Sequence, residues 1–210
     1  MNTIITIGRQ TGSGGRYIGQ KLAEELNIPF YDRNLLQRAA KESGFCEEIF
    51  EHHDEKPTTS FLYSLVMSTG MGLANNAFTD IPLDHKVFLA QFNTIRKIAA
   101  EGPCVIVGRC ADYALEGICD TLSVFVYAPQ EDRVRRMKER FSELNDAKAL
   151  DQITRTDKKR SSYYNYYASK SWGVASTYDL CLNSSAFGLD GTADIIKRAL
   201  EKKEAAKTQQ

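Results

Sequence analysis

Apolar positions along this chain follow two rhythms. Uninterrupted runs rich in β-branched and aromatic residues occupy 3–8, 104–108 (CVIVG), 122–128 (LSVFVYA) and 179–183 (DLCLN), with a weaker one at 28–32 (IPFYD). Runs of this length fit strands covered on both faces, which is how a parallel sheet under helices reads. Elsewhere apolar residues recur at three- and four-residue spacing, as at Ile18, Leu22 and Leu26, the rhythm of an amphipathic helix. The order is strand, helix, strand, long helical stretch, strand, helix, strand, long helices, strand, helix. It predicts an α/β fold: a three-layer, doubly wound, five-stranded parallel sheet.

Two stretches are too long to be plain crossovers. Residues 33–101 read as several helices broken around Lys56–Pro57 and Asp80–Pro82, and residues 130–177 are highly charged, then tyrosine-rich. Both leave the carboxyl edge of the expected sheet, where α/β folds bind ligands. The expected organisation is one domain over 1–210, with a helical insertion within 33–101 and a lid over 138–177.

Composition narrows the classes. The chain has 210 residues, 42% hydrophobic and 26% charged, with 27 basic and 27 acidic residues and so no net charge. That balance asks for no nucleic-acid partner. No apolar run approaches the ~20 residues that cross a bilayer, so no membrane partner is expected. The N-terminus lacks a signal-peptide pattern. Cys46, Cys104, Cys110, Cys119 and Cys181 are scattered, form no CxxC pair and show no zinc spacing with His52 or His53. They read as reduced thiols of a cytoplasmic protein.

The chemistry starts at residues 3–19, TIITIGRQTGSGGRYIG, which read as strand, glycine-rich turn and helix. Such a turn lets backbone N–H groups converge on a phosphate at the positive end of a helix. The pattern departs from the phosphate-loop spacing G-x-x-x-x-G-K-[ST]. Arg9 stands at the first glycine's place, Gly15 at the lysine's and Arg16 at the hydroxyl's. Arg16 is therefore the expected replacement cation, longer and planar where lysine is compact. A hydroxyl for Mg²⁺ would have to come from Thr11 or Ser13, or be replaced by water.

The same stretch fits a second pattern, the cofactor loop of short-chain dehydrogenases, through Gly8-x-x-x-Gly12-x-Gly14. Asp32 would then meet a ribose, Asn75-Asn76-Ala77 would match that family's Asn-Asn-Ala-Gly, and Tyr166-x-x-x-Lys170 its catalytic pair. Ile153 stands where a catalytic serine is wanted.

Further polar clusters sit at strand ends. Gly108-Arg109-x-x-Asp112 follows CVIVG, and a guanidinium there suits a phosphate or a base edge. The alternative is a surface ion pair of Arg109 with Asp112. Asp32-Arg33 closes the second run; Asp32 serves either in the chemistry or as the N-cap of the next helix. Arg133, Arg136 and Arg140 share a helical face, and Arg155, Lys158, Lys159 and Arg160 form a second basic stretch. Two basic helices flanking a loop suit a lid that closes over phosphates and excludes water. Tyr163, Tyr164, Tyr166 and Tyr167 are expected mainly to pack.

Four colinear blocks resemble the cytidylate kinase-like family, in the nucleoside monophosphate kinase branch of the P-loop proteins: IGRQTGSGGRYIGQKLAEELNIPFYDRNLL, CVIVGRCADYAL, SVFVYAPQEDRVRRMKER and TDKKRSSYYNYYASKSWG…YDLCLNSS. The resemblance implies a kinase using ATP and Mg²⁺ on a small nucleotide such as CMP or dCMP. Arg9, Gln10, Thr11, Gly12, Ser13, Gly14, Gly15, Arg16 and Tyr17 would hold its phosphates. Arg16, Asp32, Arg136, Asp157 and Arg160 would carry the catalysis. Arg33, Arg96, Arg109 and Asp112 would bind the acceptor, with Gln91 beside Arg96 on one helix. A non-catalytic nucleotide- or phosphate-binding regulator is the alternative, and the sequence permits a homo-oligomer.

Overall fold

The structure, a computed structural model, describes residues 3–44, 46–53 and 82–207. Most of the inserted stretch around Lys56–Pro57 and Asn75–Ala77 therefore lies outside the described residues. Five strands alternate with helices: β1 Ile4–Arg9, β2 Phe30–Tyr31, β3 Val105–Val107, β4 Thr121–Tyr127 and β5 Leu180–Asn183. All pairings are parallel and the spatial order is β2-β3-β1-β4-β5. The helices are α1 Gly15–Leu26, α2 Asn34–Ser43, α3 Glu47–His53, α4 Leu83–Glu101, α5 Ala111–Ala114, α6 Gln130–Arg140, α7 Asp146–Tyr167 and α8 Ser184–Lys207, the last interrupted at Gly188.

Side chains alternate across the sheet, and each face has its own core. Ile5, Ile7, Val105, Val107, Val124 and Val126 pack against Ile18 and Leu22 of α1 and Ile196 and Leu200 of α8. Ile4, Cys104 and Ile106 pack against Leu35 of α2, Ile95 and Ile98 of α4 and Leu115 beyond α5. Both faces are covered, as the continuous apolar runs require. The second strand is only two residues long, pairing Phe30 with Val105 and Tyr31 with Ile106; its weak sequence signal matches this. The sheet order also departs from that of the dinucleotide-binding fold, whose central strands run 3-2-1-4, which removes the dehydrogenase reading.

Two neighbouring strands at the centre of the sheet part company. The crossover after β1 leaves toward β2, and the one after β4 leaves toward β5. Ligand crevices of open α/β sheets form at such a switch point, at the carboxyl ends of the strands. The glycine loop, at residues 10–14, follows β1 there. α6, which follows β4, and α7 form a helical pair held by Met137, Ala149 and Ile153.

Candidate functional site

Gln10 fixes the glycine loop to β4. Its N–H donates to Val126 O at 3.0 Å, and its side-chain Oε1 accepts from Ala128 N at 3.3 Å. Ser13, fully buried, turns inward, donating from N and Oγ to Gln10 O at 3.2 and 2.8 Å. Gly12 and Gly14 adopt φ of +78° and +83°, conformations that side chains rarely accept. Gly14 caps α1 without a side chain, and no acid stands in the first turn. The first helical bond runs from Ile18 N to Gly14 O, so the amides before it lack an intrahelical acceptor. The result is a positive helix end facing the crevice, suited to an anion.

Side chains from α6 and α7 close over this loop. Asp157 Oδ1 accepts from Thr11 N at 2.7 Å, and its Oδ2 accepts from Arg133 at 2.6 Å. Arg160 donates to Thr11 Oγ1 at 3.2 Å. Arg136 reaches from α6 to Ser13 O at 3.2 Å and to Ser184 Oγ at 3.0 Å, and Ser184 Oγ donates to Ser13 O at 2.6 Å. The helical pair, the loop and the end of β5 are thus joined by charge-assisted hydrogen bonds, stronger than neutral ones.

A second polar centre lies beside the loop. Asp32, at the end of β2, accepts from Arg16 Nε at 2.7 Å on one oxygen and from Arg109 at 3.2 Å on the other. Burial alone would raise the Asp32 carboxyl. The guanidinium groups of Arg109 and Arg9 and the hydrogen bonds from Arg16 and Arg109 outweigh it and hold the carboxyl below the usual range. Arg109, its side chain 3% exposed, also donates to Val107 O at 3.1 Å. Further in, Asp112 accepts from Tyr164 at 2.5 Å. Burial pushes the Asp112 carboxyl up, against that hydrogen bond, and pushes the Tyr164 phenol up as well. Arg9, Arg109, Asp112, Arg160, Tyr164 and Tyr178 are among the walls of a cavity of about 20 Å³, room for about one water.

The site therefore gathers Arg9, Thr11, Arg109, Asp112, Asp157 and Arg160, and departs from the sequence expectations elsewhere. Arg16 turns to Asp32 with its side chain 53% exposed. Asp32 is paired with arginines rather than capping α2, which has no side-chain cap. Arg109 pairs with Asp32, not with Asp112. Tyr17 is exposed and reaches Asp190, and Arg33 is exposed. Arg96 stacks on Phe92 at 4.2 Å and donates to Ala114 O at 3.0 Å, which commits it to helix packing. Gln91 is buried and accepts from Tyr163 at 3.2 Å. Arg140 lies over the Phe141 ring. The tyrosines pack: Tyr163, Tyr164 and Tyr167 share a cluster with Phe88 and Cys110. Lys170, paired with Tyr166 in the dehydrogenase reading, binds Glu116.

Neither hydroxyl weighed for Mg²⁺ fits as a direct ligand. Ser13 Oγ is buried on Gln10 O, and Thr11 Oγ1 faces the Arg160 guanidinium, an unsuitable neighbour for a dication. Ser184, with its place on the loop, was missed from sequence. Its signal was available: it directly follows a strand at the ligand-bearing edge of the sheet.

A family model described as the cytidylate kinase-like family matches residues 4–186. The chain belongs to the cytidylate kinase-like family. A cytidylate kinase of Methanococcus aeolicus is 27% identical over 204 residues, covering 95% of this chain and 98% of the relative. One from Methanopyrus kandleri is 25% identical over 210 residues, covering 96% and 94%. Among solved structures, an uncharacterized protein from Eubacterium ventriosum superposes with a TM-score of 0.71 at 29% identity, covering 95% of this chain and 99% of that one. Shikimate kinase from Bacteroides thetaiotaomicron, at 15% identity and a TM-score of 0.55 over 96% and 99% of the chains, shares the P-loop kinase fold. Among the described residues of this family member no helix is long and apolar enough to cross a membrane.

Proposed function

We propose that this protein is a phosphotransferase that moves the γ-phosphoryl group of ATP to a nucleoside monophosphate of the CMP or dCMP kind, or to a related small acceptor. The observation that carries the reading is the meeting of the glycine loop with arginines from two other elements, Arg133 and Arg136 on α6 and Arg160 on α7, with Arg109 after β3 held on Asp32 beside them. Phosphoryl transfer leaves little covalent chemistry to the protein; catalysis is positioning and neutralisation of charge on the transferred group. The loop amides and the start of α1 would take the donor phosphates. Arg109 and Asp112, which line a small cavity with Arg9 and Arg160, would meet the acceptor. Asp157 and Arg160 would act as a lid that excludes water. Magnesium would accompany the triphosphate and neutralise charge when bound, held by phosphate oxygens and water.

Family membership supports the reaction class, and the likeness to cytidylate kinases of Methanococcus aeolicus and Methanopyrus kandleri supports the acceptor. The absence of lysine at position 15 favours one competing reading, a nucleotide-binding regulator without turnover. Acceptor-dependent ADP release separates the two. With CMP, dCMP, UMP, AMP and small hydroxyl acceptors offered in turn, the kinase reading expects release to rise well above the acceptor-free rate with a pyrimidine monophosphate. ATP binding with no acceptor-dependent release from any of them would overturn it in favour of the regulator.

A further inference from the structure

Two of the loop's three departures from the phosphate-loop pattern stand six residues apart in sequence. Arginine replaces the first glycine, at position 9, and glycine replaces the lysine, at position 15. In the fold these two positions touch. A Cβ added to Gly15 would stand 2.6 Å from Arg9 Cβ and 3.3 Å from Arg9 Cγ, with Val126 Cβ at 3.4 Å behind it. The first distance is shorter than packed carbons tolerate. A side chain at 15 and the side chain at 9 therefore exclude one another. The Arg9 stem occupies the space through which a lysine stem at 15 would rise. These two of the three departures amount to one exchange of position.

Arg9 ends β1 and lies over the first turn of α1. Arg9 lines the same cavity as Arg109 and Arg160. Arg16, the replacement expected from sequence, is half exposed and engaged with Asp32. We propose that Arg9 is the cation that binds the triphosphate at this loop, taking over from the opposite wall the role a lysine at position 15 has in the usual pattern. This rests on the phosphotransfer reading above. A guanidinium offers a fork of donors that can hold two phosphate oxygens at once, where an ammonium offers a point charge. Its approach from the strand end, rather than from the helix, is the geometry that the bare Gly15 leaves room for.

Direct binding of Mg·ATP, Mg·ADP and AMP to the full chain tests the assignment without relying on turnover. Arg9→Gln keeps the stem over Gly15 and removes the charge. It should weaken ATP at least tenfold and change AMP less than twofold. Gly15→Lys alone should weaken ATP through the collision with Arg9. The exchange Arg9→Gly with Gly15→Lys should restore ATP binding to within about threefold of the starting protein. On the unmodified protein, which needs no variant to fold, ATP should protect Arg9 from phenylglyoxal more than it protects Arg16. ATP binding unchanged in Arg9→Gln, an exchange no tighter than Arg9→Gly alone, or equal Arg9 labelling with and without ATP would overturn the role of Arg9. Failure of the unmodified protein to bind ATP would instead overturn the phosphotransfer reading on which it rests.

Discussion

Two neighbouring turns at the carboxyl edge of the sheet reach positive φ by different means. After β1, the left-handed positions are glycines, Gly12 and Gly14. A Cβ on Gly12 would stand 2.8 Å from the Arg133 carbonyl oxygen, which is backbone, and one on Gly14 would press the Leu189 side chain aside. After β3, Gly108, Arg109 and Cys110 run in succession at φ of +78°, +54° and +54°, and two of the three carry side chains. Left-handed backbone costs such residues roughly 1–2 kcal/mol each. The first turn presents backbone amides, so side chains there would obstruct it. The second turn aims a side chain: its strain directs Arg109 inward onto Asp32 and seats Cys110 in the aromatic cluster. One turn is shaped to receive an anion, the other to hold a cation where water barely reaches.

The contrast can be broken most severely at Arg109. Arg109→Met strips Asp32 of its buried partner, and removing one member of a buried pair costs about 3–5 kcal/mol. The melting temperature should fall by roughly 10 °C for a chain of this size, and Asp32→Asn in the same background should recover part of the loss. A fall of under 2 °C would mean that the strained turn is not anchored by this pair.

The aromatic cluster beneath the second turn gives a pH-dependent test of nearly the same size. His85 on α4 stacks against Tyr167 at 5.9 Å between ring centres, and burial holds its imidazole down at about 4. The unfolded chain takes up this proton first, near 6.5. The contribution is therefore whole above pH 6.5 and is lost as pH falls toward 4, by about 3 kcal/mol in all. Urea midpoints at pH 7 and pH 4.5 should diverge in the unmodified protein and draw together in His85→Phe. Equal divergence in both would place the acid sensitivity elsewhere.

The smallest stability effect belongs to the first turn. Gly12→Ala should cost ~1–2 kcal/mol through its positive φ, a loss read by thermal unfolding. Its larger consequence is functional, because the Arg133 backbone cannot move aside without disturbing α6. ATP binding should weaken at least tenfold, read by direct titration, while AMP binding changes little. A variant that loses stability but keeps ATP affinity would show that the glycines serve folding alone.

The same contrast explains how much could be read in the sequence. The central strands β1, β3 and β4 were legible because they are largely buried on both faces and so are written as unbroken apolar runs, whereas the half-buried edge strand β2 left the weaker signal. The glycine loop was legible because its backbone needs glycine in the sequence itself. The turn after β3 was half hidden: Gly108 marks it, but nothing local marks Arg109 and Cys110 as left-handed. The Arg109–Asp32 pair spans 77 positions and follows from β2 and β3 being neighbours, a fact of topology. Arg16 looked like the loop's cation because it is adjacent in sequence; the end of β2 puts Asp32 within its reach and draws it away. The bare Gly15 answers to the Arg9 stem packed over it, a contact between residues six apart that only the fold creates.

The central claim, that the loop and the arginines around it form a working phosphotransfer site, is tested most directly by ³¹P NMR of Mg·ATP mixed with CMP and the protein. The account predicts that ATP signals give way to those of ADP and CDP at matching rates, and that Arg109→Met slows both together. ATP held in complex, with its γ-phosphate signal undiminished and no diphosphate formed from CMP or any other acceptor offered, would contradict it.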